Sequence, residues 1–214
     1  MPSEALAHLS RRCKVMRRLI RVHGPCTLVP KMKRSPFDSL VSAVAHQQLN
    51  GTAADTILRR FRALFPGKRF PAPERLAEVT DDALRGCGFS WAKIAAIRDI
   101  AAKTLDGTIP TSRVIRAMPD EEIIARLTTV RGVGRWTVEM LLIFKLGRPD
   151  VLPADDFGVR NGFRIAHGLD EMPKPRELLA HGERWRPYAT TAAWYLWRAA
   201  DAGKSARPPK GVNS

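Results

Sequence analysis

The chain has 214 residues and a mass of 23.8 kDa, enough for one large domain or two small ones with a core that needs no disulfide staple. Lys and Arg number 36 against 21 Asp and Glu, a formal charge of +15 and a pI of about 10.7, which points to an acidic partner such as nucleic acid. Ordinary shares of hydrophobic (44%) and charged (27%) residues exclude a disordered or collagen-like chain. The cysteines Cys13, Cys26 and Cys87 form no CxxC pair, so neither a disulfide scaffold, an iron–sulfur cluster nor a cysteine-type zinc site is expected. No run approaches the roughly 20 apolar residues of a bilayer span, and the start lacks the apolar stretch of an export signal. A cytoplasmic protein with no membrane partner is expected, nucleoid-associated if bacterial.

Apolar residues recur at helical spacing nearly throughout, whereas strict alternation is scarce, so the fold class is all-α. A first helix is expected from Ser3 to His23, with Leu6, Leu9, Cys13, Met16, Leu19 and Ile20 inward, stopped by Gly24-Pro25. Pro36 opens the next through Leu40, Val41, Val44 and Ala45. The polar elbow Gln47-Gln48-Leu49-Asn50-Gly51 leads to a further helix ending near Phe65. Short helices follow over Pro73 to Val79 and Thr80 to Arg85, with Thr80-Asp81-Asp82 as capping oxygens, and Cys87-Gly88-Phe89 as the stop. Ser90 caps a helix whose stripe of Trp91, Ile94, Ile97, Ile100 and Ala101 reads as core. Met118-Pro119-Asp120-Glu121-Glu122 starts another.

Leu127 to Phe144 ends one helix and begins the next across a five-residue turn. Gly132 and Gly134 permit positive φ and leave backbone amides open to a phosphate, or carbonyls open to a cation that bridges to one. The following helix adds its positive N-terminal end. A plain tight connection between helices is the alternative. Some twenty residues on, Val151-Leu152-Pro153-Ala154-Asp155-Asp156-Phe157 places adjacent carboxylates before a new helical pattern, as helix caps, as a surface feature, or as catalytic acids.

Leu127, Val130, Val133, Thr137, Leu141 and Phe144 around the two glycines resemble the helix-hairpin-helix element of DNA glycosylases. Gly134-Arg135-Trp136-Thr137 with Leu152-Pro153-Ala154-Asp155-Asp156-Phe157 looks like the 3-methyladenine DNA glycosylase II type. Glu183 to Trp197 is similar to that family's last helix, and Gly88-Phe89-Ser90-Trp91-Ala92-Lys93 to another of its segments. The resemblance covers about residues 4 to 200. It is to the compact form, because some thirty residues before Pro36 leave no room for the N-terminal β domain of larger members.

The resemblance implies two helical subdomains with the active site in the cleft between them. The expected divisions are 1–36 (an N-terminal helix joining the terminal subdomain), 37–147 (the hairpin subdomain), 148–204 (the rest of the terminal subdomain) and 205–214 (a disordered basic tail). Asp156 is implied as the catalytic carboxylate, facing the sugar C1′ as oxocarbenium charge develops. Asp155 is left to capping or orienting. Trp136, Phe157 and Trp197 are implied as the base pocket, the indole of Trp197 suiting a cationic alkylated purine. Leu49 is implied as the wedge that fills the gap left by a flipped base, with Gln47 and Gln48 in the same loop. His46 reads as a packing histidine. Backbone contacts to DNA fall to Arg131, Gly132, Val133, Gly134, Arg135 and Thr137; no cofactor is expected, and the Val130 and Val133 carbonyls offer a place for a monovalent cation.

Lyase members carry lysine where this chain has Trp136, so a monofunctional hydrolase that leaves an abasic site is implied. The expected partner is double-stranded DNA containing alkylated bases, bound by a monomer. Two alternatives stay open: a glycosylase of this fold for other damaged or mismatched bases, and a catalytically silent structure-specific DNA-binding protein.

Overall fold

A computed structural model of the chain describes residues 3–49, 51–67 and 70–205. In chain order the helices are α1 (Ser3–Arg12), α2 (Lys14–His23), α3 (Pro36–His46), α4 (Gly51–Ala63), α5 (Asp81–Cys87), α6 (Trp91–Leu105), α7 (Ser112–Ala117), α8 (Asp120–Leu127), α9 (Arg135–Leu141), α10 (Phe157–His167), α11 (Pro175–Gly182) and α12 (Ala189–Ser205). There is no strand among the described residues, and no helix long and apolar enough to cross a membrane. The chain divides into one unit of 1–29 with 148–214 and another of 30–147.

In the terminal unit the expected single helix from Ser3 to His23 is two. Cys13 adopts an extended backbone (φ −147°, ψ 115°) and caps α2. The break lets α1 pack against the short turn Glu183–Trp185 while α2 packs on α12 and α10, yet Leu9, Cys13 and Met16 stay buried in one core. Neither glycine nor proline marks it. The core is completed by Val159 and Phe163 of α10, Trp185, and Trp194, Tyr195 and Leu196 of α12. The Tyr195 hydroxyl donates to the Gly24 carbonyl at 2.8 Å, and burial raises its pKa to about 12. α10 and α12 cross with almost no gap: a Cβ at Gly162 would lie 1.9 Å from the Leu196 carbonyl oxygen. α12 runs to Ser205, so residue 205, expected as the first of a disordered tail, is helical. The remainder of the expected tail, 206–214, lies outside the described residues.

In the hairpin unit the expected caps form: the side-chain oxygens of Thr80 and Ser90 accept the backbone N–H of Ala83 and Lys93 at 3.2 and 3.3 Å, and Ser35, ahead of Pro36, accepts from Asp38 at 3.0 Å in the same way, each bond worth about 1 kcal/mol. Ile94, Ile97, Ile100 and Ala101 are buried as expected, but Trp91 is 57% exposed, with the Arg85 guanidinium 5.3 Å from its ring. As the first residue of α6, its side chain leans back over the cap and off the inward stripe. α9 passes into a single π-helical turn, Leu142–Leu146. There the buried Lys145 ammonium donates to the carbonyls of Met32 and Arg34, and the Lys31 N–H donates to Phe144 O at 2.7 Å. These bonds tie 31–34 into this unit.

Candidate active site

Asp156 is the N-cap of α10. Its backbone carbonyl accepts the Arg160 N–H at 3.0 Å, and its side-chain Oδ1 accepts the Val159 N–H at 2.8 Å. The indole Nε1 of Trp197, on α12, donates to the same oxygen at 2.8 Å. Two N–H donors and the positive end of a helix therefore converge on one carboxylate. Gly158 makes the contact possible: a Cβ there would lie 2.9 Å from Trp197 Cδ1 and 3.1 Å from Asp156 Oδ1. Asp155, expected to cap or orient, is exposed, and Asp156 does the capping instead. Phe157, the first residue of α10, is 64% exposed, and Trp197 is half-buried. Trp185 and Trp194 are core residues.

The hairpin is less open than its sequence suggests. Gly132 has φ +73°, and a Cβ there would meet the Cβ of Ala96 at 2.7 Å, so both its conformation and its packing need glycine. Gly134 instead caps α9 in an extended conformation (φ −88°) that any residue can adopt, which corrects the expectation of a second positive φ. A Cβ at Gly134 would meet nothing within 4 Å. Arg131 is exposed, and its backbone N–H donates to Asp99 Oδ2 at 2.7 Å.

Three of the expected DNA contacts are committed internally. Val133 is buried, and its amide donates to Val130 O at 3.0 Å. A cation at that carbonyl would use its remaining lone pair. Thr137 is 1% exposed, and its hydroxyl accepts from Gln47 Nε2 at 3.0 Å. Arg135 binds Glu121 and the buried Glu139, both at 3.1 Å. Trp136 is half-buried in α9.

The elbow is a turn from His46 to Leu49, closed by Leu49 N–H donating to His46 O at 3.3 Å. Gln47 (φ −55°, ψ 128°) followed by Gln48 at φ +57° gives it the type II pattern, whose third position favours glycine. Leu49 emerges from it 41% exposed, and Asn50 lies outside the described residues. Gln48 is exposed, whereas the Nε2 of Gln47, in the same elbow, is engaged by both Gly132 O and Thr137 Oγ1 at 3.0 Å. His46 packs as expected, its Nδ1 2.8 Å from Ser42 O.

Residues 41–187 match the family model described as the HhH-GPD superfamily base excision DNA repair protein. The chain belongs to this superfamily. It is 42% identical over 212 residues to DNA-3-methyladenine glycosylase 1 of Schizosaccharomyces pombe, covering 97% of this chain and 93% of the relative. A second relative from the same yeast, the alkylbase DNA glycosidase-like protein mag2, is 35% identical over 192 residues, with 89% of this chain and 90% of the relative covered. A solved structure of the S. pombe 3-methyladenine DNA glycosylase in complex with abasic DNA superposes with a TM-score of 0.88 at 43% identity, covering 92% of this chain and 96% of that one. In this HhH-GPD chain, sequence reasoning missed Gly158, Asp99 and the hydrogen bonds of Lys93. The spacing of Gly158 two residues after the acid was the available signal for the first, and Lys93 at the third position after its cap for the last.

Proposed function

We propose that this chain is a monofunctional DNA glycosylase, which flips alkylated purines such as 3-methyladenine and 7-methylguanine out of duplex DNA and hydrolyses the N-glycosidic bond. The observation that carries the reading is the double anchoring of Asp156 Oδ1 by the Val159 amide and the Trp197 indole. Breaking the bond to C1′ leaves positive charge on the sugar, and a carboxylate fixed in advance stabilises it without reorganising. The indole that orients this carboxylate also offers an electron-rich face to a cationic base, an attraction of up to about 2 kcal/mol where water is excluded. The charge on an alkylated purine already makes it a good leaving group. Water is the nucleophile, because position 136 is tryptophan where lyase members carry lysine, and the guanidinium of Arg135 cannot act as an amine. The names of the relatives support alkylated purines as substrates.

On this reading the partner is double-stranded DNA bound by a monomer in the cytoplasm, at the nucleoid in a bacterium. The α9 amides and Arg131 meet the phosphates, with the hairpin carbonyls as a place for a monovalent cation. The test is mass-spectrometric detection of bases released from methylated duplex DNA by wild type and Asp156→Asn, with strand breaks scored before and after hot alkali. The amide oxygen of asparagine can still accept from Val159 and Trp197, so the substitution removes charge and leaves the cap. Methylated purines released by wild type alone, with breaks only after alkali, are expected. Tight binding of damaged duplex without any base released would overturn the proposal.

A further inference from the structure

Three residues on one stripe of α6, spaced by three, each hold a different part of the DNA-facing surface in the hairpin unit. Lys93 Nζ donates to the carbonyls of Ala45 (2.9 Å) and Gln47 (2.8 Å), at the α3 end that leads into the elbow. Ala96 lies directly under Gly132, with no room for another methyl group between them. Asp99 Oδ2 accepts the Arg131 N–H at 2.7 Å. Gln47 then spans the remaining side, its Nε2 donating to Gly132 O and Thr137 Oγ1. Elbow and hairpin are thus each bonded to α6 and to one another, a closed ring of contacts within one unit.

We infer that α6 fixes the Leu49 elbow to the phosphate-facing hairpin as a single rigid grip, with Lys93, Asp99 and Gln47 as positioning residues for base extrusion. This rests on the reading of Leu49 as the wedge of a base-flipping enzyme. A wedge entering a duplex meets the cost of unstacking, a few kcal/mol per step. A loop that can swing away from its phosphate anchor yields to that resistance, whereas a loop braced against the anchor transmits it. The elbow is also held in a conformation its own sequence disfavours, since Gln48 sits at φ +57° in a position that favours glycine. Such a turn persists only when its surroundings dictate it, and the Lys93 and Gln47 bonds are those surroundings. Lys93 suits the task because its ammonium carries several N–H donors, and the two carbonyls it reaches lie at the end of α3.

The test separates extrusion from chemistry. Single-turnover release of 7-methylguanine is measured from a fully paired duplex and from the same strand with the lesion in a one-nucleotide bulge, where little stacking remains to be overcome. The paired-to-bulged rate ratio is expected to fall about tenfold in Lys93→Met and in Gln47→Ala, on the scale of one hydrogen-bonded brace. Lys93→Arg, which can still reach two carbonyls, is expected to restore most of it. A second readout needs no turnover: 2-aminopurine opposite an abasic analogue brightens as a wedge unstacks it, and both variants are expected to brighten it less than wild type at saturating protein. Ratios and fluorescence equal to wild type in both variants overturn the inference. So does an equal loss on paired and bulged lesions, which would mark a merely structural role. If Lys93→Met fails to melt cooperatively, Gln47→Ala decides alone. A wild type that releases no base while the fluorescence difference persists would remove the glycosylase reading and leave the rigid grip standing.

Discussion

Replacing Trp197 by phenylalanine keeps an aromatic face where the base is proposed to stack and deletes the N–H that reaches Asp156 Oδ1 at 2.8 Å. A hydrogen bond to a charged group contributes about 1.5–3 kcal/mol, and at about 1.4 kcal/mol per decade its loss corresponds to roughly a 10- to 150-fold change in rate. Because the Val159 N–H still holds the same oxygen, the carboxylate keeps its place at the helix end, and the lower part of that range is expected. The single-turnover rate on methylated duplex should therefore fall about 10- to 30-fold while KM changes by no more than about twofold, since the lost contact acts in the transition state. Incorporation of benzothienylalanine at position 197 gives a stricter version, keeping the indole outline and removing only the donor. A rise in KM with the rate untouched would refute the reasoning, for it would make Trp197 a base-binding surface and nothing more.

Gly158→Ala should act on the same pair from below. Its methyl group must displace Trp197 Cδ1 from 2.9 Å, so a drop in base release with the melting temperature nearly kept is expected by parallel kinetics and calorimetry. Gly132→Ala and Gly134→Ala should differ sharply. The former meets Ala96 at a positive φ and should cost about 1–3 kcal/mol in a denaturant melt, while the latter, extended and open, should cost under about 1 kcal/mol. Acid should destabilise the terminal unit through His181, whose pKa is lowered to about 4 by burial, then by Arg184 and by His167, and whose Nε2 finds no hydrogen-bond partner among the described residues. Since the unfolded chain takes up this proton near pH 6.5 and the folded one only near 4, stability should decline between those values by at most about 3 kcal/mol and flatten below. His181→Phe should shallow that decline in melts recorded across the same pH range. Binding to undamaged duplex should weaken with salt at a log–log slope near −4.5 if about five phosphates are neutralised.

Local chemistry made much of this legible. Proline at a first turn and hydroxyls before helices announced α3, α5 and α6, because those side chains answer backbone groups a few residues away. That one of the adjacent acids Asp155 and Asp156 caps a helix was readable for the same reason, but the cap falls on Asp156, where the expectation left it to Asp155. What escaped depends on partners distant in sequence. Thr137 reads as a polar helix-start residue open to phosphate, yet it is buried and its hydroxyl is taken by Gln47, 90 positions away. The break at Cys13 carries no glycine or proline, for it is imposed by the different neighbours of α1 and α2. Helices α7 and α11 are too short for an apolar periodicity to stand out.

The crossing of α10 and α12 carries a consequence for how the enzyme ages with heat. Leu196, whose carbonyl abuts Gly162, is the neighbour of Trp197, and Gly162 lies six residues, about 9 Å of helix, beyond Asp156. The spacing of the carboxylate and the indole is thus gauged by main chain resting on main chain, which cannot repack gradually as side chains do. Warming should leave the turnover curve climbing until the two helices part, and then end it abruptly, with inactivation and loss of the near-ultraviolet signal from the buried tryptophans falling at one temperature.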